Sequence, residues 1–210
     1  MLPMRLALLV TLALATAGCG AMEQTRGLVP RRTTAYRQVV SANDRLRLRD
    51  WRTAFVDGLA AARKAGHGAE IDREGALLDP DAAQTNPAIP NGMYRCRVIK
   101  LGAQGPGNLD FVEYPGFTCR VRQDRNLQRL AKLTGSQRYV GLIFPGDPLR
   151  NVYLGTLAFA DEERVLQYGQ DDQRDVAGYV ERIGPSRWRL IMPYPHFESH
   201  VDVMELTPAQ

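Results

Sequence analysis

Apolar residues recur at two different spacings along this chain, and each spacing predicts a different kind of element. In the first half the spacing is three and four, which places these side chains on one face of a helix: Leu48, Trp51, Phe55, Leu59 and Ala62. We predict one amphipathic helix of about five turns, capped by Asn43 or Asp44 and ended by Gly66 and Gly68. We interpret its apolar face as core rather than as a binding surface.

The spacing changes to two after Gly92, which predicts strands. The strand candidates cover residues 93–101, 117–122, 127–133, 138–144, 152–159, 164–168, 176–183, 187–193 and 201–206. Gly135-Ser136 and Gly184-Pro185-Ser186 separate neighbouring candidates in the way that hairpin turns do. Before the strands, residues 70–78 predict a shorter helical piece, and residues 79–91, with three prolines, predict an irregular crossing.

Eight or nine short strands with turns between them predict a mainly β (α+β) fold. We expect a small antiparallel β-barrel or sandwich of about eight strands with the N-terminal amphipathic helix beside it. The closed barrel is favoured because closure removes the edges that a short sheet exposes. Residues 42–210 are predicted to form one domain, with the helical segment and crossing at 42–91 and the barrel-like region at 92–210.

The first residues predict an exported protein. Arg5 is followed by an apolar stretch at residues 6–17, which is too short to span a bilayer, and then by small residues. This is the layout of a signal peptide at residues 1–18. Ordinary cleavage after Ala17 would give a soluble periplasmic protein, and it is the alternative to cleavage before a lipidated Cys19.

The sequence Thr16-Ala17-Gly18-Cys19 resembles a lipoprotein signal, so we predict that Cys19 is lipidated and that residues 19–41 form the anchor and tether. The partner is then a membrane, reached through the lipid anchor. Gly20 stands where an aspartate would suggest retention at the inner membrane. We therefore expect the protein on the periplasmic face of the outer membrane.

The distribution of charged residues limits the kinds of partner that the protein can bind. The net charge is +4, and residues 20–65 hold ten Arg or Lys against four Asp or Glu, whereas residues 66–210 hold 16 against 19. A basic segment beside a lipid anchor suits anionic headgroups, although a solvated helix face explains it equally well. The exported address and the slightly acidic main region disfavour a nucleic acid partner.

Cys96 and Cys119 lie on strand candidates joined by one loop, and each shares its strand face with apolar neighbours. In an oxidising compartment this arrangement predicts a structural disulfide, which would stabilise the fold by about 3 kcal/mol. Three cysteines leave one over, and an acyl chain on Cys19 would account for it.

Four arginines are expected on the face opposite the cysteines: Arg95, Arg97, Arg120 and Arg122. Guanidinium groups this close would repel one another without acidic partners or a bound anion. One reading is a site for a small anionic ligand such as a carboxylate, a phosphate or an anionic glycan. The other is an outer surface neutralised by Asp110, Glu113, Glu181 and water.

The histidines cluster in one place, where His196, Glu198 and His200 point the same way if the backbone is extended. Two imidazoles and a carboxylate suit a divalent metal, which is the one cofactor that the sequence suggests. Alternate strand residues are too far apart to converge on a zinc ion unless Pro195 bends the chain. The alternative is a loop whose His196 and Glu198 hydrogen-bond the rim of the barrel.

The sequence shows no catalytic set, since it has no Gly-x-Ser-x-Gly elbow and Ser136 has no motif that names its base. We expect an exported envelope lipoprotein that is a non-enzymatic binding module, because small barrels bind ligands in their mouths or interiors. One alternative is a metal-dependent or carboxylate hydrolase of envelope glycans, centred on the His196 cluster. Another is a scaffold or assembly lipoprotein that acts through protein contacts of its basic helix.

Several strings resemble a bacterial family known as domain of unknown function 4893: GMYRCRVIKLG, CRV, KLTGSQR, YLGTLAF, DVAGYVERIGPSRWRLIMPYPHFES and DVMEL. The resemblance extends from about residue 45 to the C terminus, and the run after residue 174 is its most specific part. It implies an exported protein and carries over no catalytic residue.

Overall fold

Eight antiparallel strands form a closed barrel in the computed structural model of this protein, which describes residues 33–160 and 162–209. The strands are β1 (Gly92–Ala103), β2 (Phe111–Asp124), β3 (Leu127–Lys132), β4 (Gln137–Phe144), β5 (Arg150–Phe159), β6 (Asp175–Gly184), β7 (Arg187–Pro193) and β8 (Ser199–Pro208). Each strand pairs with the next one along the chain, and β8 pairs with β1. The predictions of a mainly β fold and of a closed barrel are confirmed.

One of the strand predictions is wrong, because residues 164–168 belong to the loop between β5 and β6. β5 and β6 pair directly with each other, which leaves no free sheet edge between them for a further strand. Tyr168 in this loop instead donates a hydrogen bond from its hydroxyl to the carboxylate of Asp44. The loop is thereby fastened to the first helix.

The interior of the barrel is filled by the apolar side chains that alternate along the strands. Cys96 and Cys119 lie among them as a disulfide whose Cα atoms are 5.9 Å apart, as predicted. The ring of Tyr153 needs the two glycines beside it: a Cβ at Gly141 would lie 2.7 Å from its Cζ, and one at Gly155 would lie 2.5 Å from its hydroxyl. The middle of the barrel is therefore packed with side chains.

The N-terminal helix is divided in two, so the prediction of one continuous helix is wrong. α1 covers Ala42–Arg49 and α2 covers Trp51–Lys64, with Asp50 between them. The cap of α1 is Ser41, whose hydroxyl accepts a hydrogen bond from the N–H of Asp44 at 3.1 Å, so neither predicted cap residue is correct. The break allows α1 to contact β6 while α2 contacts β1, β7 and β8.

The helices cover part of the outer face of the barrel. After α2 come α3 (Gly68–Glu74) and a 3-10 turn (Gly75–Leu77), which confirms the shorter helical piece. Phe55 and Leu77 are completely buried against the barrel wall and Trp51 is partly buried, so the interpretation of the apolar helix face as core is confirmed. No helix in the described ranges is long and apolar enough to cross a membrane.

A buried ion pair lies between the barrel wall and the helices. Arg189 on β7 and Glu181 on β6 are both fully buried, and Arg189 Nη2 lies 2.6 Å from Glu181 Oε2. Arg189 Nη1 also donates to the main-chain oxygens of Ala76, Leu77 and Asp79, at 3.0, 2.8 and 2.7 Å. These contacts join the turn after α3 to the barrel.

The irregular crossing at residues 79–91 packs against the end of the barrel where β1 begins. Ile89 belongs to the interior cluster, and the main-chain oxygen of Ala88 accepts a hydrogen bond from the Trp188 indole at 3.1 Å. Tyr94 donates to the main-chain oxygen of Pro90 at 2.7 Å. These contacts close the interior at this end of the barrel, although an outer recess of about 550 Å³ remains beside the crossing and the turn between β6 and β7.

Candidate ligand-binding recess at the mouth of the barrel

The interior of the barrel changes from apolar to polar at the end where β1 finishes and β2 begins. Lys100, Lys132 and Asp202 each lie two positions from an interior apolar residue, on β1, β3 and β8 respectively. Residues two apart face the same side of a strand, so these charged side chains point inward. Their exposed fractions are only 4%, 4% and 1%.

A recess of about 450 Å³ opens at this end of the barrel. Its lining combines apolar or aromatic residues with polar ones, and an acidic residue lies at the rim: Val98, Tyr114 and Phe117, then Lys100, Lys132 and Gln137, then Glu198. Pockets for small molecules begin at about 300 Å³. The recess is therefore large enough for a small ligand.

Lys132 is a buried cation without a carboxylate partner. Its Nζ donates to the main-chain oxygen of Gln137 at 2.5 Å and lies 3.6 Å from the centroid of the Phe117 ring. It forms no ion pair with any Asp or Glu among the described residues. Burial, helped by the positive charges of Lys100 and Arg138, lowers the pKa of Lys132 to about 8. Because an unpaired charge is costly to bury, an anion beside this ammonium would be stabilising.

Lys100 has a full set of partners by comparison. Its Nζ lies 2.8 Å from Glu198 Oε2 and 3.5 Å from Asp202 Oδ2, and it donates to Gln137 Oε1 at 3.3 Å. Burial acts to lower the pKa of Lys100, but the carboxylates of Asp202 and Glu198 outweigh it and raise that pKa above its ordinary value. Gln137 thus contacts both lysines, one through its side chain and the other through its main chain.

Asp202 forms the floor beneath Lys100. Its Oδ2 accepts a hydrogen bond from the Tyr139 hydroxyl at 2.7 Å, and its Oδ1 accepts one from the Ser199 hydroxyl. Burial raises the pKa of Asp202 in spite of Lys100 and the two hydroxyls, which act to lower it. Burial and Asp202 also raise the pKa of Tyr139 well above its ordinary value. The floor is therefore a closed hydrogen-bonded network.

The loop at residues 194–198 borders the recess. Tyr194 and Glu198 at its ends have φ of 45° and 75°, a region that residues other than glycine rarely adopt. Between them, His196 Nε2 lies 3.0 Å from Arg47 Nη2. Burial and the charge of Arg47 lower the pKa of His196, so its imidazole is neutral near pH 7. The loop places the Glu198 carboxylate on Lys100.

The three predicted metal ligands have separate surroundings. His196 contacts Arg47, Glu198 pairs with Lys100, and Nδ1 of His200 is buried with no hydrogen-bond partner among the described residues. Over residues 33–160 and 162–209, no three His, Cys, Asp or Glu side chains are grouped so that they could hold a metal ion. The geometry gives a metal site at these positions no support.

The predicted arginine face lies on the outside of the barrel. Arg97 contacts three glutamates: Nη1 lies 2.8 Å from Glu113 Oε1, Nε lies 2.5 Å from Glu205 Oε2, and Nη2 pairs with Glu74. The other three arginines are exposed: Arg95, Arg120 and Arg122. The charge of Arg97 is therefore already neutralised, and anion binding by the other three stays a prediction.

Cys19 lies outside the described residues, as does the predicted signal peptide at residues 1–18. The chain has three cysteines, and the disulfide takes two of them. Cys19 is the one left over, and its lipidation stays a prediction.

Sequence analysis missed the two lysines of the recess. The chain has 27 basic residues, of which only Lys64, Lys100 and Lys132 are lysines. Lys100 and Lys132 continue the period-two pattern of the buried positions on their strands. A lysine on the interior face of a predicted barrel was the signal that could have located the site.

Fold and site together define a closed eight-stranded antiparallel barrel with a packed interior and a charged recess at one mouth. The chain belongs to the family Domain of unknown function (DUF4893), whose model matches residues 36–206. Searches of curated proteins and of solved structures find no match to the chain.

Proposed function

We propose that this protein is a non-enzymatic binding module that takes a small anionic ligand in the recess at the mouth of its barrel. The observation that carries the proposal is Lys132, a residue only 4% exposed that lacks a carboxylate partner in the described part of the chain and lines a recess of about 450 Å³. A buried cation of this kind costs stability until an anion pairs with it. Proteins retain such unfavourable buried charges at functional sites.

The walls of the recess indicate what else the ligand contains. Val98, Tyr114 and Phe117 present apolar and aromatic surface beside the lysines, with the Phe117 ring centroid 3.6 Å from Nζ of Lys132. A ligand with one anionic group and a small apolar part would satisfy both kinds of surface, because burial of its apolar part contributes about 25 cal/mol per Å². The ligand class is therefore a small amphipathic anion.

The mouth suits this ligand better than the other concave regions. The middle of the barrel is filled by side chains, which leaves the mouth as the part of the interior that a ligand can enter. An outer groove of about 400 Å³ beside β4 and β5 is mostly apolar, and its cation, Arg129, pairs with Asp124 at 2.7 Å. The outer recess of about 550 Å³ at the other end of the barrel is lined by Arg182, which is only partly buried and donates to the main-chain oxygen of Gly184 at 2.9 Å. Of these regions, only the mouth combines room with a buried cation that has no carboxylate.

The proposal includes an address in the cell envelope, with Cys19 lipidated and the barrel held at the periplasmic face of the outer membrane. The sequence supports it through the signal-peptide layout at residues 1–18 and the small residues before Cys19. The disulfide supports it because such bonds persist in oxidising compartments, and because the pairing of Cys96 and Cys119 leaves one cysteine over.

The test is calorimetric titration of the full-length protein with benzoate, hexanoate and inorganic phosphate, comparing the wild type with Lys132→Met. Loss of a charge-assisted hydrogen bond costs about 1.5–3 kcal/mol, so we expect the affinity for the best probe to fall about 10- to 100-fold. Lys64→Met is the matched control, because it makes the same change at an exposed lysine and should leave binding unchanged.

Native mass spectrometry of protein purified from its own membrane, with no ligand added, complements the titration. A mass that leaves on denaturation and is absent from Lys132→Met would support the recess as the binding site. If no probe binds the wild type and no adduct is present, or if Lys132→Met binds as well as the wild type, the proposed function is wrong.

A further inference from the structure

Glu198 already places a carboxylate in the recess. Its side chain is 42% exposed at the rim, and its Oε2 lies 2.8 Å from Nζ of Lys100, whose side chain is 5% exposed. The contact is therefore reached from solvent, although the lysine lies inside the barrel. A free carboxylate entering the recess would meet the same ammonium.

Of the three partners of Lys100, Glu198 is the one that can leave. An ammonium has three donors, and here they face Glu198, Asp202 and Gln137. Asp202 is buried on β8 and held by the Tyr139 and Ser199 hydroxyls. Glu198 precedes β8, in a loop, and only its exposed carboxylate joins it to the lysine.

The backbone conformation at Glu198 is strained, which favours movement of the loop. A φ of 75° is strained for glutamate and persists only when contacts hold it. Glu198 itself is held by its carboxylate on Lys100 and by its main-chain oxygen, which accepts a hydrogen bond from the Gln104 N–H at 3.0 Å. The Gln104 side chain also donates to the main-chain oxygens of Pro195 and Ser199, each at 2.6 Å. Loss of the contact with Lys100 would weaken the hold on this backbone.

We propose that Glu198 is a built-in competitor of the ligand: its carboxylate holds the place on Lys100 that a ligand carboxylate takes when it binds between Lys100 and Lys132 and loosens the backbone at Glu198. This inference rests on the proposed function and narrows it, because it makes the ligand a carboxylate. The contact that Glu198 itself makes is evidence that a carboxylate fits this position.

The test is titration of Glu198→Gln with benzoate, hexanoate and inorganic phosphate. The variant keeps the size of the side chain and removes the competing charge, so both carboxylates should bind about two- to fivefold more tightly than they bind the wild type. Glu113→Gln is the matched control, because Glu113 is similarly exposed, at 48%, and pairs with Arg97 on the outer face of the barrel. It makes the same change in net charge and should leave the affinity unchanged.

Hydrogen exchange gives a second readout that does not depend on a variant. If the ligand displaces Glu198, saturating benzoate should speed exchange at the Gln104 amide of the wild type, because the acceptor of that N–H moves away. A ligand that binds without moving the loop would leave this amide unchanged or protect it.

The outcomes separate the two proposals. If Lys132→Met loses binding while Glu198→Gln binds no more tightly than the wild type, the competitor is refuted and the binding module stands. If phosphate gains affinity in Glu198→Gln and the carboxylates do not, the carboxylate class is wrong. If neither the wild type nor Glu198→Gln binds any probe, both proposals fail.

Discussion

Two of the three buried cations in the described part of the chain, Arg189 and Lys132, have completely different surroundings. Arg189, between the wall and the helices, lies 2.6 Å from Glu181 and donates to three main-chain oxygens. Lys132, at the mouth, has one main-chain oxygen and the face of Phe117. The first cation is satisfied by the protein, whereas the second has room left for a partner.

This difference separates structure from function. Burying a charge with complete partners is roughly neutral for stability, and its contacts specify how elements dock. Burying a charge without them is unfavourable, and the pKa of Lys132, lowered to about 8 by burial and by nearby cations, reflects that cost. We therefore expect changes at Arg189 to damage the fold and changes at Lys132 to damage binding.

The largest effect should follow from Arg189→Met. Removing the arginine leaves Glu181 fully buried with Arg150 as its remaining cation, and deprives three carbonyl groups of their donor. Breaking a buried pair in this way costs about 3–5 kcal/mol of unfolding free energy, measured by urea denaturation. Arg187→Met on the same strand is the control, since Arg187 is 32% exposed and its pair with Glu205 should contribute about 1 kcal/mol or less. Equal losses of unfolding free energy in the two variants would contradict the structural role given to Arg189.

The two lysines of the mouth should respond to the same substitution with opposite signs. Lys100→Met leaves Asp202 buried without its cation and should lower the unfolding free energy by about 2–4 kcal/mol. Lys132→Met replaces an unpaired buried charge with an apolar chain and should raise it by about 1–2 kcal/mol. Urea denaturation of the ligand-free proteins measures both. A destabilised Lys132→Met would mean that its contacts with Gln137 and Phe117 outweigh the cost of burial.

Much of the fold could be predicted from the chain because period-two patterning and turn residues act locally. The alternation around Cys96 and Cys119 identified both the interior face and the disulfide. The division of the helix at Asp50 could not be predicted in this way, because it depends on which strands α1 and α2 contact. The loop that contains Tyr168 was predicted as a strand. The hydrogen bond from Tyr168 to Asp44 that holds this loop spans 124 positions of sequence, so a local pattern could not reveal it.

The site was harder to predict than the fold, because sequence analysis looked for clusters of one residue type. The residues of the histidine cluster have separate surroundings, and of the four clustered arginines Arg97 is neutralised by glutamates of the protein. The recess is formed by residues from β1, β2, β3 and β4 and from the loop before β8, which are far apart in sequence. A single lysine without a carboxylate partner leaves no local pattern in the sequence, apart from its position on the inward-facing side of a strand.

The smallest effect that sharpens the comparison is a pH dependence of stability. Burial and the charges of Lys100 and Arg138 lower the pKa of Lys132 to about 8 in the folded protein, whereas an unfolded lysine titrates near its ordinary value of 10.5. The unfolded chain therefore holds this proton more tightly, so stability rises with pH above 8 and the gain is lost as pH falls through 8. From pH 8 to pH 9 the ligand-free wild type should gain about 1 kcal/mol relative to Lys132→Met, measured by urea denaturation at each pH. Lys64→Met should keep the gain. Parallel curves of unfolding free energy against pH for the wild type and Lys132→Met would mean that Lys132 is paired or hydrated, which would remove the distinction between Lys132 and Arg189.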